Sequence, residues 1–395
     1  LKIALKESVM SRHTLSLRFP RLIAAVLVFA ALAACDKDKE IDPPAELVDF
    51  KESLSVERLW STSLGGGDEV MRGGLSPAAS DEQVFAAGRG GEVVALQLAT
   101  GKVSWRIKTG STLSGGPGVG GGLVVVGSAD GEVIALDAVT GTRRWSAKVG
   151  GEVLAAPAVG ADAVIVRTVA GRLLGLSLED GRELWREDQQ IPRLTLRGTA
   201  APVVSGSVAF CGFDNGRVIS IETARGEVLW DQLVSPARGR TELERLVDID
   251  SAVKILGADV FVASFQGRVA MLAADTGQIW WSREISSHRG LAVDEDRVVV
   301  SGAMGEVVAL RRRTGVDLWR QDGLRMRRLS APALVGNRVA VADFEGYVHW
   351  LDGDTGAFVA RTKIGGRTSN SPVVVADVVI FQDDEGRVTA LRPKA

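Results

Sequence analysis

A pattern that recurs about every forty residues constrains this chain more than any other feature. The segments GEVVALQLATGKVSW (91–105), GEVIALDAVTGTRRW (131–145), GRLLGLSLEDGRELW (171–185) and GRVISIETARGEVLW (216–230) are variants of one unit. Three more follow, GRVAMLAADTGQIWW (267–281), GEVVALRRRTGVDLW (305–319) and GYVHWLDGDTGAFVA (346–360), and an eighth opens as GRVTALRP (386–393). The opening glycines are separated by 40, 40, 45, 51, 38, 41 and 40 residues. Self-similarity at such a period marks a stacked or radial array, each unit too small to bury its own apolar face. Within a unit, Val93, Ala95 and Gln97 alternate with Val94, Leu96 and Leu98, a strand pattern with both faces partly buried. Glycine-bearing pairs such as ADG, DNG, TG and DG separate the strands and supply the positive φ of short hairpin turns. Each repeat therefore reads as four short antiparallel strands.

The eighth unit is incomplete, and its missing piece lies at the other end of the chain. A tryptophan follows the second turn glycine at Trp105, Trp145, Trp185, Trp230, Trp281 and Trp319, while the seventh unit has Ala360. The segment VERLWSTSL, with Trp60, supplies the strand that the eighth unit lacks. The expected fold is all-β: an eight-bladed β-propeller with four-stranded antiparallel blades, closed by pairing of the N- and C-terminal strands. Closure hides the edges that an open solenoid, the alternative, would leave bare. Proline at the first position of a strand loses no ladder bond, and Pro77, Pro117, Pro157, Pro202, Pro332 and Pro372 precede the expected first strands. The tryptophans are expected to pack between neighbouring blades.

With 46% hydrophobic and 24% charged residues, the chain is ordinary globular material. A net charge of -2 and three scattered histidines leave no basic footprint for nucleic acid. The N-terminus reads differently from the rest. Arg12, Arg18 and Arg21 precede the uncharged run LIAAVLVFAALAA (22–34), too short to span a bilayer but of signal-peptide length. It ends at Cys35, followed by the polar DKDKE, a resemblance to the bacterial lipobox in which the cysteine is lipidated. The alternative is an ordinary export signal with a chance cysteine. The expected division is a signal peptide over 1–34 with its start at Met10, a lipidated Cys35 and flexible tether over 35–52, and the propeller over 53–395. Lipid chains anchor without spanning, at about 0.8 kcal/mol per buried methylene. Cys211 then has no disulfide partner and is expected to be a buried apolar residue.

No catalytic set emerges. The acids of DEG, DNG and DFEG lie in turns, where solvated side chains are expected, and GPGVGGG (116–122) runs into the strand LVVVGS, not a helix, and so is another hairpin. No nucleophile, base and orienting group can be assembled, and no cofactor or metal is expected. Only two glycine intervals are long, 45 and 51, and they are consecutive. The extra residues fall in EDQQIPRLTLRG and SPARGRTELERLVDIDSA, because the surrounding segments keep the ordinary pattern. Insertions of this kind sit in loops on a propeller face, so the two enlarged loops, on successive blades, are expected to form one continuous surface. In the first, Leu194 and Leu196 alternate with polar residues where a connection is expected.

The glycine and tryptophan repeat resembles the pyrroloquinoline-quinone (PQQ) propeller repeat. That group includes quinoprotein alcohol dehydrogenases, whose adjacent cysteines are absent here, and non-catalytic relatives. Together with the lipobox, the tether ELVDF, the opening LWSTSLGGG, IPRLTLRGTAAP (191–202), DNGRV (214–218), TELERLVDID (241–250) and EGYVHWL (345–351), the chain resembles the BamB family of outer-membrane assembly lipoproteins. The resemblance spans essentially the whole mature chain. It implies a non-enzymatic scaffold of the β-barrel assembly (BAM) complex that binds the POTRA domains of the barrel-inserting subunit BamA and helps unfolded outer-membrane clients. It also implies that Leu194, Leu196 and Arg197 in one loop and Asp248 and Asp250 in the other contact BamA. The alternative is that the leucines cover their own blade edge while Arg197 pairs with Asp248 or Asp250. Two other functions stay open: a PQQ-dependent dehydrogenase and an envelope propeller with another partner. The resemblance places the protein on the periplasmic face of the outer membrane, although Asp36, after the lipidated cysteine, retains enteric-type lipoproteins in the inner membrane.

Overall fold

Because each repeat carries two apolar strands flanked by a polar outer one, it can bury itself only against a neighbour, and the architecture follows from that. The computed structural model describes residues 42–64, 75–196 and 200–394. Met10, Cys35, Asp36, the expected signal peptide and Arg197 lie outside the described residues. The chain divides into residues 1–43 and residues 44–395, and every strand belongs to the second unit.

That unit is a ring of eight four-stranded antiparallel sheets. Blades one to seven occupy residues 78–108, 113–148, 158–188, 203–233, 254–283, 291–321 and 333–363. Blade eight takes three strands from residues 373–393 and its outermost one from Val56–Ser63, which pairs with Arg387–Pro393 so that Trp60 faces Ala390. First strands of neighbouring blades touch at most of the junctions, including Val373–Val375 of blade eight against Ala78–Ala79 of blade one. The expected split blade is therefore present.

There is no single core. Eight apolar clusters fill the eight interfaces between blades. Phe85, Ala87, Val93 and Ala95 of blade one, for example, meet Val124, Val126, Ile134 and Leu136 of blade two. This is why the middle strands are buried on both faces, while an outer strand such as Val103–Lys108 buries little besides Trp105.

Tryptophans lock seven of the eight blades to the next. Trp105 Nε1 donates to Ala138 O at 2.9 Å, Trp145 to Leu178 O at 2.8 Å and Trp319 to Gly353 O at 2.7 Å. Trp60, Trp185, Trp230 and Trp281 repeat the bond. Each ring lies on the turn glycine of the following blade. At Gly141, with φ +72°, an added Cβ would stand 2.7 Å from the Trp105 ring. Gly is required twice over there, for the positive φ and for the contact.

Three details differ from expectation or sharpen it. Five of the six prolines directly precede a first strand, but Pro117 lies inside Leu113–Gly120, at the register break between Gly115 and Gly118. The turn acids are not all solvated: Asp214, Asp343 and Asp383 are buried, because they accept hydrogen bonds from buried arginines or from the backbone of their own turns. The segment read as tether meets the propeller from Ala45 onward, where its N–H donates to Arg325 O at 2.9 Å.

Candidate docking site on the loops around blade four

The two enlarged intervals become two loops that flank blade four. The first runs from residue 189 to 202 and the second from 234 to 253, each joining an outer strand to the first strand of the next blade. Both leave on the side of the hairpin turn Asp214–Gly216: Asn215 Nδ2 donates to Gln190 O at 2.9 Å, and Val234 N donates to Gly216 O.

In the first loop Ile191 and Pro192 are partly covered, and Ala200 is fully buried. Between them the chain rises from the surface, leaving Leu194 43% and Leu196 41% exposed. The second loop is divided in the same way. Leu246, Val247, Ile249 and Val253 are buried, with Ile249 and Val253 in the core between blades four and five. Its tip is a compact turn in which Glu244 N donates to Thr241 Oγ1, while the Glu244 carboxylate accepts from the N–H groups of Arg240 and Thr241. This reciprocal capping stiffens the turn and holds Leu243 out, 64% exposed.

A polar layer joins the loops from behind. Asp248 is fully buried, and its Oδ2 accepts from Leu196 N at 2.5 Å. Beneath it, Arg167 of blade three, also fully buried, donates to Asp214 Oδ1 at 2.6 Å and to Ala200 O at 3.5 Å, with its guanidinium 4.8 Å from the Phe213 ring. Burial pushes the Asp248 carboxyl up to about 6, against the Leu196 N–H that favours its anion. Asp250 is pushed up to about 8, first by burial and then by the negative neighbours Asp248 and Asp214, with Arg167 and Arg289 opposing. Oδ1 of each aspartate is buried with no hydrogen-bond partner.

Of the residues singled out from the sequence, Leu196 and Asp248 are directly bonded, Asp250 is electrostatically coupled to Asp248, and Leu194 stands on the same exposed rise. Sequence reasoning assigned no site role to Arg167, nor to Asp214, Asn215 and Leu243, although the last three lie in the quoted segments DNGRV and TELERLVDID. Arg167 had a signal: it interrupts the apolar strand AVIVRTV where other repeats carry small or uncharged residues.

The arrangement suits recognition better than chemistry. Cys211 is buried at the blade interface with its thiol pushed up to about 11 by burial, which removes the thiolate a nucleophile needs. It also has no neighbouring cysteine with which to form the adjacent-cysteine disulfide of quinoprotein dehydrogenases. Among the described residues no group of three or more histidines, cysteines or acids is placed to hold a metal ion, and no helix is long and apolar enough to cross a membrane.

Comparison with known proteins gives the geometry a lineage. The sequence profile of the family described as outer membrane protein assembly factor BamB matches residues 51–112, 105–321 and 303–394. The BamB of Pseudomonas aeruginosa is 49% identical over 343 residues, covering 86% of this chain and 90% of its own. The crystal structure of BamB from Moraxella catarrhalis superposes with a TM-score of 0.79 at 30% identity, covering 86% of this chain and all of that one. A quinohemoprotein alcohol dehydrogenase from Comamonas testosteroni shares the fold alone, with a TM-score of 0.67 at 12% identity over 85% of this chain and 76% of that one. High identity along nearly the whole length, with the same propeller, places this chain in the BamB family of outer membrane protein assembly factors.

Proposed function

We propose that the protein is a non-catalytic scaffold of the β-barrel assembly machinery, docking the POTRA domains of BamA through the two loops around blade four. The observation that carries this reading is a pair of exposed leucines, Leu194 and Leu196, on a loop pinned from behind by the buried Asp248. Burying two apolar anchors on a partner is favourable, and a braced loop loses little entropy in doing so. Arg197, next in sequence, adds a guanidinium able to make bidentate bonds. Asp248 serves the interface by holding the loop at Leu196 N, with the raised carboxyl of Asp250 beside it. On this reading residues 1–34 are a signal peptide, Cys35 carries the lipid, and the propeller works at the periplasmic face of the outer membrane, where it helps unfolded barrel clients reach BamA.

Affinity capture of the full-length protein from solubilised outer membranes tests the docking site. BamA is expected to co-purify with the wild type and to fall at least about tenfold, roughly 1.4 kcal/mol, with a folded Leu194→Glu plus Arg197→Glu variant. BamA missing from the wild-type capture, or equally abundant with the variant, would overturn the proposal.

A further inference from the structure

Seven of the eight blade interfaces carry a tryptophan lock; the interface between blades seven and eight does not. Its tryptophan position holds Ala360, and blade eight has no turn glycine there, because its third and fourth strands come from opposite ends of the chain. Residues 45–54 cover this place instead. Ser53 N and Leu54 N both donate to Val359 O, at 3.0 and 3.1 Å, and Leu54 packs with Trp350, Val359 and Ala360. Phe50 stacks on Phe358 with ring centroids 5.5 Å apart.

Two arginines of this region grip the strap by its backbone. Arg327 Nη1 donates to Ala45 O at 3.0 Å, and Arg361 Nη2 donates to Val48 O at 3.1 Å while its guanidinium lies 5.0 Å from the Phe50 ring. The two prongs are joined through a buried pair. Arg327 Nε donates to Asp343 Oδ2 at 2.7 Å, the same oxygen lies 2.9 Å from His349 Nε2, and Arg361 Nε donates to His349 Nδ1 at 3.3 Å. A guanidinium can only donate, so Nδ1 must be unprotonated and Nε2 must carry the proton that it gives to Asp343. The closed clamp therefore requires neutral His349.

We infer that residues 45–53 form a releasable strap, clamped on blade seven by Arg327 and Arg361 and opened by protonation of His349. A proton on Nδ1 sets two donors face to face and ejects Arg361 from its seat. Burial, with Arg361 and Arg327 nearby, holds His349 below its ordinary range despite the favourable Asp343. The other charged or titratable groups around the clamp are Glu345, which pairs with Arg327, Lys363, which donates to Glu345 O and lies over Tyr347, and Asp49 and Glu52 of the strap. The sign follows: the closed state disfavours the histidine cation, so closure is favoured at neutral pH and weakens as pH falls and His349 takes up its proton.

The strap governs reach. For a chain anchored through Cys35, as proposed above, opening the strap adds residues 45–53 to the length between anchor and propeller, at most about 30 Å of extended chain. The clamp itself is independent of the BamA reading and can be tested without BamA.

Hydrogen exchange of the full mature protein, corrected for intrinsic rates, reads the clamp at the amides of Ala45, Ser53 and Leu54. At pH 7.5 these are expected to exchange at least tenfold slower than free chain. At pH 5 Ala45 should lose that protection while the strands of blade seven keep theirs. Arg361→Ala should exchange at Ala45 as free chain at both pH values, and Phe50→Ala, which leaves the propeller core untouched, should weaken closure at pH 7.5. Nitrogen chemical shifts of His349 in the wild type give a readout that needs no variant: unprotonated Nδ1 and protonated Nε2 at pH 7.5, with titration matching the loss of protection. Free-chain exchange at Ala45 at pH 7.5, loss of protection without titration of His349, or the opposite tautomer would each overturn the inference.

Discussion

Asp250 shows how far a single residue can stand from its most stable choice. Its carboxyl is pushed up to about 8, its Oδ1 lacks a partner, and its nearest charged neighbours include Asp248 and Asp214. The folded chain holds the proton more tightly than the unfolded chain, whose carboxyl titrates near 3.8. Stability therefore falls as pH rises from about 4 to about 8, the reverse of an ordinary ion-paired aspartate. Asp250→Asn is expected to be more stable than wild type by about 1–3 kcal/mol at pH 8, and equal to it near pH 4, as urea midpoints at the two pH values will show. A variant no more stable at pH 8 would remove the electrostatic strain from the account. Strongly shifted acids are over-represented at functional sites. At this scale the exposed half of the site was legible: Leu194 and Leu196 alternate within an insertion. The braces were not, because Arg167, Asp214 and Asp248 come from three separate segments, and only folding puts Asp248 against the amide of Leu196.

Among the elements, a bond between one blade's outer strand and the next blade's turn recurs at seven of the eight interfaces and adds to the apolar clusters that hold the ring. Each tryptophan spends one face on the positive-φ glycine ahead of it and its Nε1 on a carbonyl of the same turn. Gly141→Ala places a methyl 2.7 Å from the Trp105 ring at φ +72°, and is expected to cost about 2–4 kcal/mol through strain and displaced packing. The check is a lower urea midpoint with an unchanged m-value; a midpoint within about 0.5 kcal/mol of wild type would mean the ring does not depend on this contact. Strands, turns and the tryptophan positions could be read from the repeat because they obey local periodicity. Ala360 could be read only as an exception. Its cause is topological: the blade ahead of it lacks the turn that a tryptophan would grip, and residues 45–54 fill the gap.

For the molecule as a whole, stability depends on one contact of very long sequence separation, Val56–Ser63 against Arg387–Pro393. Removing residues 386–395 strips blade eight of its third strand and leaves the edges of Val56–Ser63 and Val378–Gln382 unpaired. Such edges recruit other chains. The truncated protein is expected to lose its single cooperative transition and to self-associate, measured by light scattering after size-exclusion chromatography. A truncated monomer with the wild-type urea midpoint would show that closure contributes nothing. The sequence by itself determined the all-β class, the eight repeats, the split blade and the two enlarged loops, because each is written in local spacing that hydrophobic burial and turn geometry must obey. Only the tertiary structure decided that Asp214, Asp343 and Asp383 are buried in their turns, that Asp248 braces Leu196 and that Arg327 and Arg361 hold the entering chain. Those contacts join residues tens to hundreds of positions apart, and no local period records which of them will meet.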